Sequence, residues 1–275
     1  GGIYMKIKTR IILFTCILCI LSVFLVSLVN YNFTAKELLN EIEKNARNTA
    51  KITAREMDKW LSIQKNSLKE MGDTLIYNDE FKHDYVYGYL SSQGRINEGN
   101  GYYVGLANET LISGTGWIAP DDYKTTEKDW YIEAQNSDDV VVSSPYIDAR
   151  TGDVIITISK ALKKGDEVIG VVASDIFVDH LVEIVSNLEL GENSYGFLID
   201  GQGNIITHKN EEFNPDSEKG YANIDEILNG ELKDIIETDQ DTTKSKQLKD
   251  YDKVDRIFFI EDMNETNWKI GVAIP

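Results

Sequence analysis

Cysteine is nearly absent from this chain, and its scarcity excludes several kinds of site. The sequence of 275 residues has two cysteines, Cys16 and Cys19, and both lie in an apolar N-terminal run. The rest of the chain therefore cannot hold a disulfide framework, a thiol nucleophile or a cysteine-based zinc site. Within the apolar run, the Cys-x-x-Cys spacing is explained by packing, because cysteine behaves there as a small buried hydrophobic residue.

Positive charge is also scarce. The sequence has 28 lysines and arginines against 46 aspartates and glutamates, which gives a formal net charge of -18. A surface of this sign repels phosphate backbones, so we predict that nucleic acid is not a partner.

The sequence motifs of common enzymes are missing as well. There is no phosphate-binding loop, no G-x-G-x-x-G after a strand, no H-E-x-x-H and no G-x-S-x-G. The histidines are widely separated, which argues against a histidine metal site. We therefore predict no enzyme, no cofactor and no metal. An anchored hydrolase and a purely structural or adhesive ectodomain remain as alternatives.

The apolar N-terminal run has the length of a membrane span. Residues 11–29 contain no charged side chain, and Lys6, Lys8 and Arg10 precede them. By the positive-inside bias, residues 1–10 are cytoplasmic, 11–29 form a transmembrane helix, and the remainder faces outward in the cell membrane. A cleaved signal peptide is the alternative, but its apolar region is usually shorter and ends in a small-x-small site, which is not evident here.

A long amphipathic pattern follows and predicts a stalk helix over residues 30–75. Residues 30–75 contain no proline, and Gly72 is their one glycine. The apolar or small residues recur mostly at steps of three or four, at Leu39, Ile42, Ala46, Ala50, Thr53, Met57, Leu61, Leu68, Met71 and Leu75. This stripe packs either on the chain's own domains alone or also on a twin helix. A lone helix would leave much of the stripe wet, so we predict a parallel homodimer.

Beyond this helix, strand-like runs and turn residues form two groups, which predict two α/β units over residues 76–190 and 191–275. The first unit has runs at 101–107, 110–113, 140–146, 154–159 and 168–175, a short helix at 127–134 and a connecting helix at 178–188. The second has runs at 194–199, 204–208, 256–260 and 268–274 and a short helix at 224–228. Antiparallel hairpins with helices on one side are typical of the α+β class.

Several phrases occur in order along these units: DWYIEA, SSPYIDARTGDVIITISKAL, GVVASDI, GFLIDGQGNIITH and NWKIGVAIP. With the apolar run and the stalk, they resemble the double Cache sensor of bacterial chemoreceptors and sensor kinases, over nearly the whole chain after about residue 35. The resemblance implies an α+β fold in which a long N-terminal helix, preceded by one transmembrane helix, carries two tandem PAS-like antiparallel-sheet units. It also implies that the first unit is membrane-distal and binds the ligand, and that the second is membrane-proximal.

The resemblance further implies an amino-acid-binding site in the distal unit. The residues that match the signature of the family are Tyr123, Lys128, Trp130 and Tyr131 in one cluster and Tyr146, Asp148 and Asp175 in another. The pattern of the family has arginine at the position of Lys128. Lysine keeps the charge that would hold a ligand carboxylate but loses the planar bidentate fork, which leaves the ligand class open.

These residue types suit a free amino acid, which carries an ammonium and a carboxylate on one carbon. Asp148 and Asp175 can accept from the ammonium, Lys128 and Trp130 can donate to the carboxylate, and the tyrosines can line the pocket. Each also has a purely structural interpretation: Asp175 as a helix cap, Asp148 as a turn residue, Trp130 as core and Lys128 as a solvated side chain.

The sequence therefore predicts the extracytoplasmic sensor of a transmembrane chemoreceptor, binding a small molecule that is most simply an L-amino acid. The alternative is the same fold binding an amine, a small carboxylate or a nucleobase. The resemblance implies a cytoplasmic signalling module in the same full-length chain. That module is a methyl-accepting coiled coil, a histidine kinase or a cyclic-dinucleotide enzyme.

Overall fold

The computed structural model describes residues 6–97, 101–148, 151–188, 191–215, 219–238 and 247–275. It divides into two units, residues 1–48 and residues 49–275. The helices are α1 (Ile7–Asn78), α2 (His83–Ile96), α3 (Asp129–Gln135), α4 (Asp179–Ser186) and α5 (Glu231–Thr238). The strands are β1 (Gly101–Leu106), β2 (Leu111–Ser113), β3 (Val141–Val142), β4 (Tyr146–Ile147), β5 (Val154–Lys164), β6 (Glu167–Phe177), β7 (Tyr195–Ile199), β8 (Ile205–Thr207), β9 (Gln247–Lys249), β10 (Asp255–Asp262) and β11 (Lys269–Ile274).

Helix α1 contains both the apolar run and the amphipathic stripe. It is continuous from Ile7 to Asn78, and within the described ranges it is the one helix long and apolar enough to cross a membrane. Its apolar side chains between residues 11 and 29 are exposed. The helix passes Gly72 without a break. A Cβ atom on Gly72 would lie 3.2 Å from Cγ1 of Val172 on β6, so the missing side chain lets helix and sheet approach closely.

The chain itself buries the stripe of α1 from Ala50 onward. Met57, Leu61 and Leu75 are fully buried, and the stripe residues from Met57 to Leu75 share one hydrophobic core with strands of both sheets. The expectation that a lone helix would leave this part of the stripe wet is wrong, because the two sheets cover it. The argument for a homodimer through the stripe is therefore lost for these residues.

The first sheet has the strand order β2-β1-β6-β5-β3, with β4 also paired to β5, and all its pairs are antiparallel. Alternate residues of a strand face opposite sides. Val104, Ile156 and Val172 thus point into the core shared with α1 and α2, while Tyr103 and Ala173 point to the side covered by α3.

The run at 140–146, predicted as one strand, is two short strands. The Ser143 hydroxyl oxygen takes the place of a backbone carbonyl and accepts a hydrogen bond from the Thr157 N–H, with 2.9 Å between Oγ and N. Pro145 has no N–H to donate and lies just before β4. The ladder along β5 is therefore interrupted between β3 and β4, and Tyr146 begins a new strand.

The second sheet has the order β8-β7-β11-β10-β9 and is also antiparallel. One face packs on the core of α1 through Leu198 and Ile270, and the other packs on its own core with α5. The helix predicted at 224–228 is misplaced. Leu228 and Asn229 lie at a kink within Ile227–Gly230 and have φ of 52° and 56°, which no right-handed helix accepts, so the regular helix α5 begins only at Glu231. The predicted α+β architecture of a long helix and two antiparallel sheets is confirmed.

A buried ion network holds the edge of the second sheet. The Arg256 side chain is 1% exposed, and its Nη1 donates to Oδ2 of Asp250 at 2.7 Å and to Oδ1 of Asp252 at 2.6 Å. Its Nη2 and Nε donate to Oδ2 of Asp252 and to the carbonyl of Asn193. The Tyr195 hydroxyl donates to Asp250 at 2.6 Å. The hydrogen bonds from Arg256 lower the pKa of Asp252 to about 2, so the pair is ionised at neutral pH.

The turn between β10 and β11 is tied to α1 by one carboxylate. Asp58 accepts hydrogen bonds from the backbone N–H groups of Asn264 and Glu265, both at 2.9 Å, and from Nδ2 of Asn264 at 3.0 Å. Two helical turns further along the same face, Lys65 pairs with Glu265 at 2.8 Å. Along α1, the second sheet is therefore bound near residue 58 and the first sheet near Gly72.

Candidate functional site

The residues predicted to bind a ligand gather on the face of the first sheet that α3 covers. Asp175 lies near the end of β6, opposite Thr157 on β5 and Gly101 on β1. Because alternate residues share a face, Asp175 lies on the same side as Val171 and Ala173, which pack against α3. The otherwise apolar strand β6 thus places the half-buried Asp175 carboxylate at the edge of the small core that the first sheet forms with α3.

The carboxylate of Asp175 collects hydroxyl donors from two neighbouring strands. The Tyr103 hydroxyl donates to its Oδ1 at 2.7 Å, and the Thr157 hydroxyl donates to the same oxygen at 2.9 Å. Tyr146 contacts Thr157 at 2.7 Å between their hydroxyl oxygens. The single hydroxyl proton of Thr157 is committed to Asp175, so Tyr146 is the donor in that contact. The result is a chain of hydroxyls that ends on one negative charge.

Burial and the Asp175 charge hold these tyrosines in their neutral form. Burial raises the pKa of Tyr103 well above its ordinary value, and the Asp175 carboxylate raises it further. The pKa of Tyr146 is raised by the same two causes in the same order. Both hydroxyls therefore keep their protons at neutral pH and remain donors toward the carboxylate.

Helix α3 brings Trp130 over this network. Trp130 is 6% exposed, its ring meets that of Tyr103 edge to face at 5.0 Å, and its carbonyl accepts from the Ser159 hydroxyl at 2.9 Å. Its side chain also hydrogen-bonds to Tyr123. A Cβ on Gly105 would lie 2.8 Å from Cη2 of Trp130, so this glycine makes room for the indole. Trp130 belongs to the core, as its structural interpretation had it, and also borders the site.

Lys128 stands at the start of α3 and covers Tyr123. Its Nζ lies 4.5 Å from the centroid of the Tyr123 ring, a cation–π distance. Its carbonyl accepts from the N–H groups of Tyr131 and Ile132, both at 2.9 Å, which fixes the lysine backbone to the first turn. Burial raises the pKa of Tyr123, and the charges of Asp175 and Asp148 raise it further. Tyr123 is thus in electrostatic reach of both acids.

Asp148 follows β4 in a turn. Its Oδ2 accepts from the Thr151 hydroxyl at 3.0 Å, and its backbone N–H donates to the Asp153 carbonyl at 2.9 Å. It is half-buried, and its charge also raises the pKa of Tyr146. Asp148 therefore has the turn geometry of its structural interpretation and contributes negative potential to the site as well.

Tyr131 is oriented differently from the other predicted residues. It is 2% exposed, and a Cβ on Gly105 would lie 3.5 Å from its ring. Burial raises the pKa of its hydroxyl, and the second cause is the charge of Glu109. The structure thus groups six of the seven predicted residues around Tyr123 and Asp175, whereas the charge that acts on the Tyr131 hydroxyl is that of Glu109.

Two residues of this network were missed from the sequence, Tyr103 and Thr157. Both donate directly to Asp175. For Tyr103 the available signal was strand alternation, because it lies on the same face of β1 as Gly101, the residue opposite Asp175. For Thr157 the signal was a hydroxyl within an apolar strand, since such a group needs a hydrogen-bond partner. Neither signal identifies the partner without the register of the sheet.

A cavity of about 540 Å³ adjoins the Asp175 network. Its lining comes from α2, from β2 and from the segment between residues 113 and 124, and Tyr123 is the predicted site residue that it includes. Tyr123 and Trp117 meet edge to face at 5.5 Å and form one wall. The site thus consists of a polar network with an aromatic-walled space beside it.

The chain is similar to the Cache domain family and to bacterial methyl-accepting chemotaxis proteins. The sequence model of the Cache domain family matches residues 30–275. The methyl-accepting chemotaxis protein McpC of Bacillus subtilis is 25% identical over 98% of this chain and 39% of its own length. McpA of Pseudomonas putida is 24% identical over 98% of this chain and 40% of its own length. The chain thus spans about two fifths of the length of these curated relatives.

Solved structures share the fold. The ligand-binding domain of the Pseudomonas fluorescens chemoreceptor CtaA in complex with L-serine has a TM-score of 0.67 and 22% identity, over 86% of this chain and 97% of that one. The ligand-binding domain of the Pseudomonas aeruginosa amino acid chemoreceptor PctB in complex with L-Arg has a TM-score of 0.68 and 20% identity, over 86% of this chain and 95% of that one. The TM-scores and coverages of both show that this chain shares their fold.

Proposed function

This chain belongs to the Cache domain family over residues 30–275, and on that premise we propose that it is the ligand-binding sensor of a transmembrane chemoreceptor and that its ligand is an L-amino acid. The observation that carries the proposal is the half-buried Asp175 carboxylate, which receives the hydroxyls of Tyr103 and Thr157 beneath Trp130. A primary ammonium matches such a site because it supplies N–H donors and the opposite charge.

The other end of an amino acid requires a cation, and Lys128 is the candidate that the structure places on the Tyr123 ring. Its Nζ lies 4.5 Å from the centroid of the Tyr123 ring. Tyr123 in turn is hydrogen-bonded to the side chain of Trp130, which covers the Asp175 network. We propose that Lys128 leaves the ring to meet the ligand carboxylate, since an ion pair in a partly dry site is stronger than an exposed cation–π contact. In this arrangement Tyr123, Tyr146 and Asp148 border the ammonium, and Tyr131 supports α3 from the core.

The membrane placement follows from α1. Its apolar run at residues 11–29 follows three basic residues, so we propose that residues 1–10 are cytoplasmic and the sheets extracytoplasmic. The helix reaches the second sheet near residue 58 and the first near Gly72. This order supports a membrane-distal unit over residues 76–190, which binds the ligand, and a membrane-proximal unit over 191–275, which transmits the signal.

The relatives support the class of output. McpC and McpA are methyl-accepting chemotaxis proteins and are longer than this chain. We propose that the full-length protein continues into a methyl-accepting signalling module. The alternative is the same sensor fold that binds an amine, a small carboxylate or a nucleobase, or that serves a sensor histidine kinase or a cyclic-dinucleotide enzyme.

The proposed role of Lys128 separates amino acids from simple amines. With the 275-residue chain in detergent micelles, calorimetry should show that Lys128→Ala weakens the best L-amino acid by about tenfold to a hundredfold and that Lys128→Arg retains its affinity, because a charge-assisted contact is lost in one and kept in the other. The matched control is Lys164→Ala, an exposed lysine at the end of β5 that does not line the cavity beside the site. If the ligand is an amine, Lys128→Ala leaves its affinity unchanged or raises it.

We also propose that the chain forms a parallel homodimer, through a face of α1 other than the buried stripe. Ile52 and Ile63 are both 55% exposed and lie eleven residues apart, which is three helical turns. In membranes, with Cys16 and Cys19 replaced by serine, cysteine at Ile52 or Ile63 should crosslink between subunits. Cysteine at Ala50, which the chain buries completely, should not. Crosslinking at Ala50 alone would contradict this interface.

A further inference from the structure

A hydroxyl on β5 reaches the short helix that covers the ligand face of the first sheet. Ser159 pairs with Ala173 on β6 and with Val141 on β3, and both partners belong to the small apolar core under α3. Ser159 is 1% exposed among these neighbours. A hydroxyl buried in this way costs free energy unless it is hydrogen-bonded. It donates to the Trp130 carbonyl, with 2.9 Å between the two oxygens.

Helix α3 has little of its own to hold it in place. It has seven residues, or about two turns, and a helix of this length is not stable in isolation. Within the described part of the chain, the N-terminal cap residue Lys128 makes no side-chain hydrogen bond to the first turn. Apolar contacts of Trp130, Tyr131 and Ala134 press the helix onto the sheet, but such contacts are non-directional. The hydrogen bond from Ser159 is directional and ties the first turn to β5.

The first turn of α3 carries the residues on which the proposed site depends. Lys128 immediately precedes the helix, and Trp130 is its second residue. The Trp130 ring meets that of Tyr103, which donates to Asp175, so a shift of α3 moves the indole relative to this carboxylate. The shift moves Lys128 as well, because its carbonyl accepts from the N–H of Tyr131 within the helix. The position of α3 thus sets the distance between the two charges that a zwitterion must bridge.

We infer that Ser159 is a positioning residue of the ligand site. Its hydroxyl does not contact the ligand, but it holds α3 where Lys128 and Trp130 meet the ligand. The inference rests on the proposed function, since it takes the ligand to lie between α3 and Asp175. Without this hydrogen bond, α3 occupies its binding position for a smaller fraction of the time, and the apparent affinity falls by that fraction. One buried hydrogen bond corresponds to about threefold to tenfold in an equilibrium constant.

Ser174 is a matched control on the neighbouring strand. It precedes Asp175 on β6, is 2% exposed, and pairs with Ile158, whose side chain belongs to the core shared with α1. Its side chain therefore lies on the face of the sheet opposite the ligand site. Among the residues that the structure describes, its hydroxyl has no hydrogen-bond partner. Ser159 and Ser174 are thus two buried serines, of which one is tied to α3 and the other is not.

Calorimetry on the 275-residue chain in detergent micelles tests the inference with the common L-amino acid that binds the wild-type protein best. Ser159→Ala should weaken binding by about threefold to tenfold, and Ser174→Ala should change it by less than about twofold. Ser159→Thr should recover most of the affinity, because threonine keeps the hydroxyl and suits a strand.

A double-mutant cycle with Lys128 separates positioning from a general loss of structure. If Ser159 acts through α3, Ser159→Ala should weaken binding less in a Lys128→Ala background than in the wild type, because there is no longer a cation to position. A general structural defect would instead weaken binding equally in both backgrounds. Should Ser159→Ala fail to fold, Ser159→Cys takes its place, since it keeps the shape and weakens the donor.

The outcomes distinguish the inference from the proposed function. Wild-type affinity in Ser159→Ala, or equal losses in Ser159→Ala and Ser174→Ala, overturns the positioning role and leaves an amino-acid sensor. Equal losses with and without Lys128 overturn it as well. No binding of any L-amino acid to the wild-type protein overturns the proposed function and the inference with it.

Discussion

Asp175→Ala is expected to remove most of the affinity for an amino acid, by about tenfold to a hundredfold, because it deletes the one carboxylate on which the hydroxyls of Tyr103 and Thr157 converge. An ammonium bound there would lose its counter-charge in a half-buried site. Calorimetry with the ligand that binds the wild-type protein best measures the effect directly.

Asp175→Asn separates charge from shape in this experiment. The amide keeps an oxygen that can accept from Tyr103 and Thr157, so the network and the fold are retained while the negative charge is lost. We expect it to bind nearly as weakly as Asp175→Ala. Asp166→Ala, in the exposed turn between β5 and β6, is the control for the loss of an acid elsewhere. Wild-type affinity in both Asp175 variants would contradict the proposed site.

Arg256→Ala is expected to cost about 3–5 kcal/mol in the free energy of unfolding, since it leaves the Asp250 carboxylate buried without its cation. The Asp250 side chain is 2% exposed, so water cannot replace the guanidinium without opening the edge of the second sheet. Urea unfolding followed by tryptophan fluorescence, on the chain in detergent micelles, gives the change.

The matched control for this network is Lys253→Ala, an exposed cation three residues away, which we expect to change the free energy of unfolding by less than about 0.5 kcal/mol. In the double variant Asp250→Asn with Arg256→Ala, the stranded charge is gone, so part of the stability should return. A single variant Arg256→Ala as stable as the control would show that the network contributes no net stability.

The sequence predicted most of the strands because their patterns are local. The runs at 154–159 and 168–175 lie within β5 and β6, and the turn between them was read from glycine and aspartate. What opposes Asp175 is not local. If the pairing of β5 with β6 continued without interruption from Lys164 and Glu167, Ile156 would lie opposite Asp175. The Ile156 side chain belongs to the core shared with α1, on the other face of the sheet.

A bulge changes that register. The pairing shifts by one residue at Leu162 and Lys163, so that Thr157 faces Asp175 instead. The carbonyl of Ile169, the extra residue, accepts from Ala107 at 3.1 Å. Gly170, which follows the extra residue and pairs with Leu162, is compatible with a bulge, but a glycine inside a strand does not by itself fix the register. This is the physical reason that Thr157, and with it the hydroxyl chain to Tyr146, could not be found from the sequence.

The stripe on α1 shows the same limit at a larger scale. The spacing of the stripe predicted the helix and which side of it is buried. An apolar stripe does not indicate which residues cover it. Contacts with residues more than eighty positions away, such as Leu162 and Val172, cover it here. The exposed Ile52 and Ile63 fall off the stripe and carried no signal of their own.

The Asp58 carboxylate has a mechanical consequence for the chain. Hydrogen bonds tolerate changes in length of only a few tenths of an ångström, whereas one residue of helix rises about 1.5 Å. An axial displacement of that size between α1 and the turn at Asn264 and Glu265 would break all three bonds that Asp58 accepts. Smaller displacements of the helix are instead passed to the β10–β11 hairpin, which carries the final strand of this chain to Ile274. Over displacements of a few tenths of an ångström, α1 at Asp58 and the β10–β11 turn are therefore expected to move together.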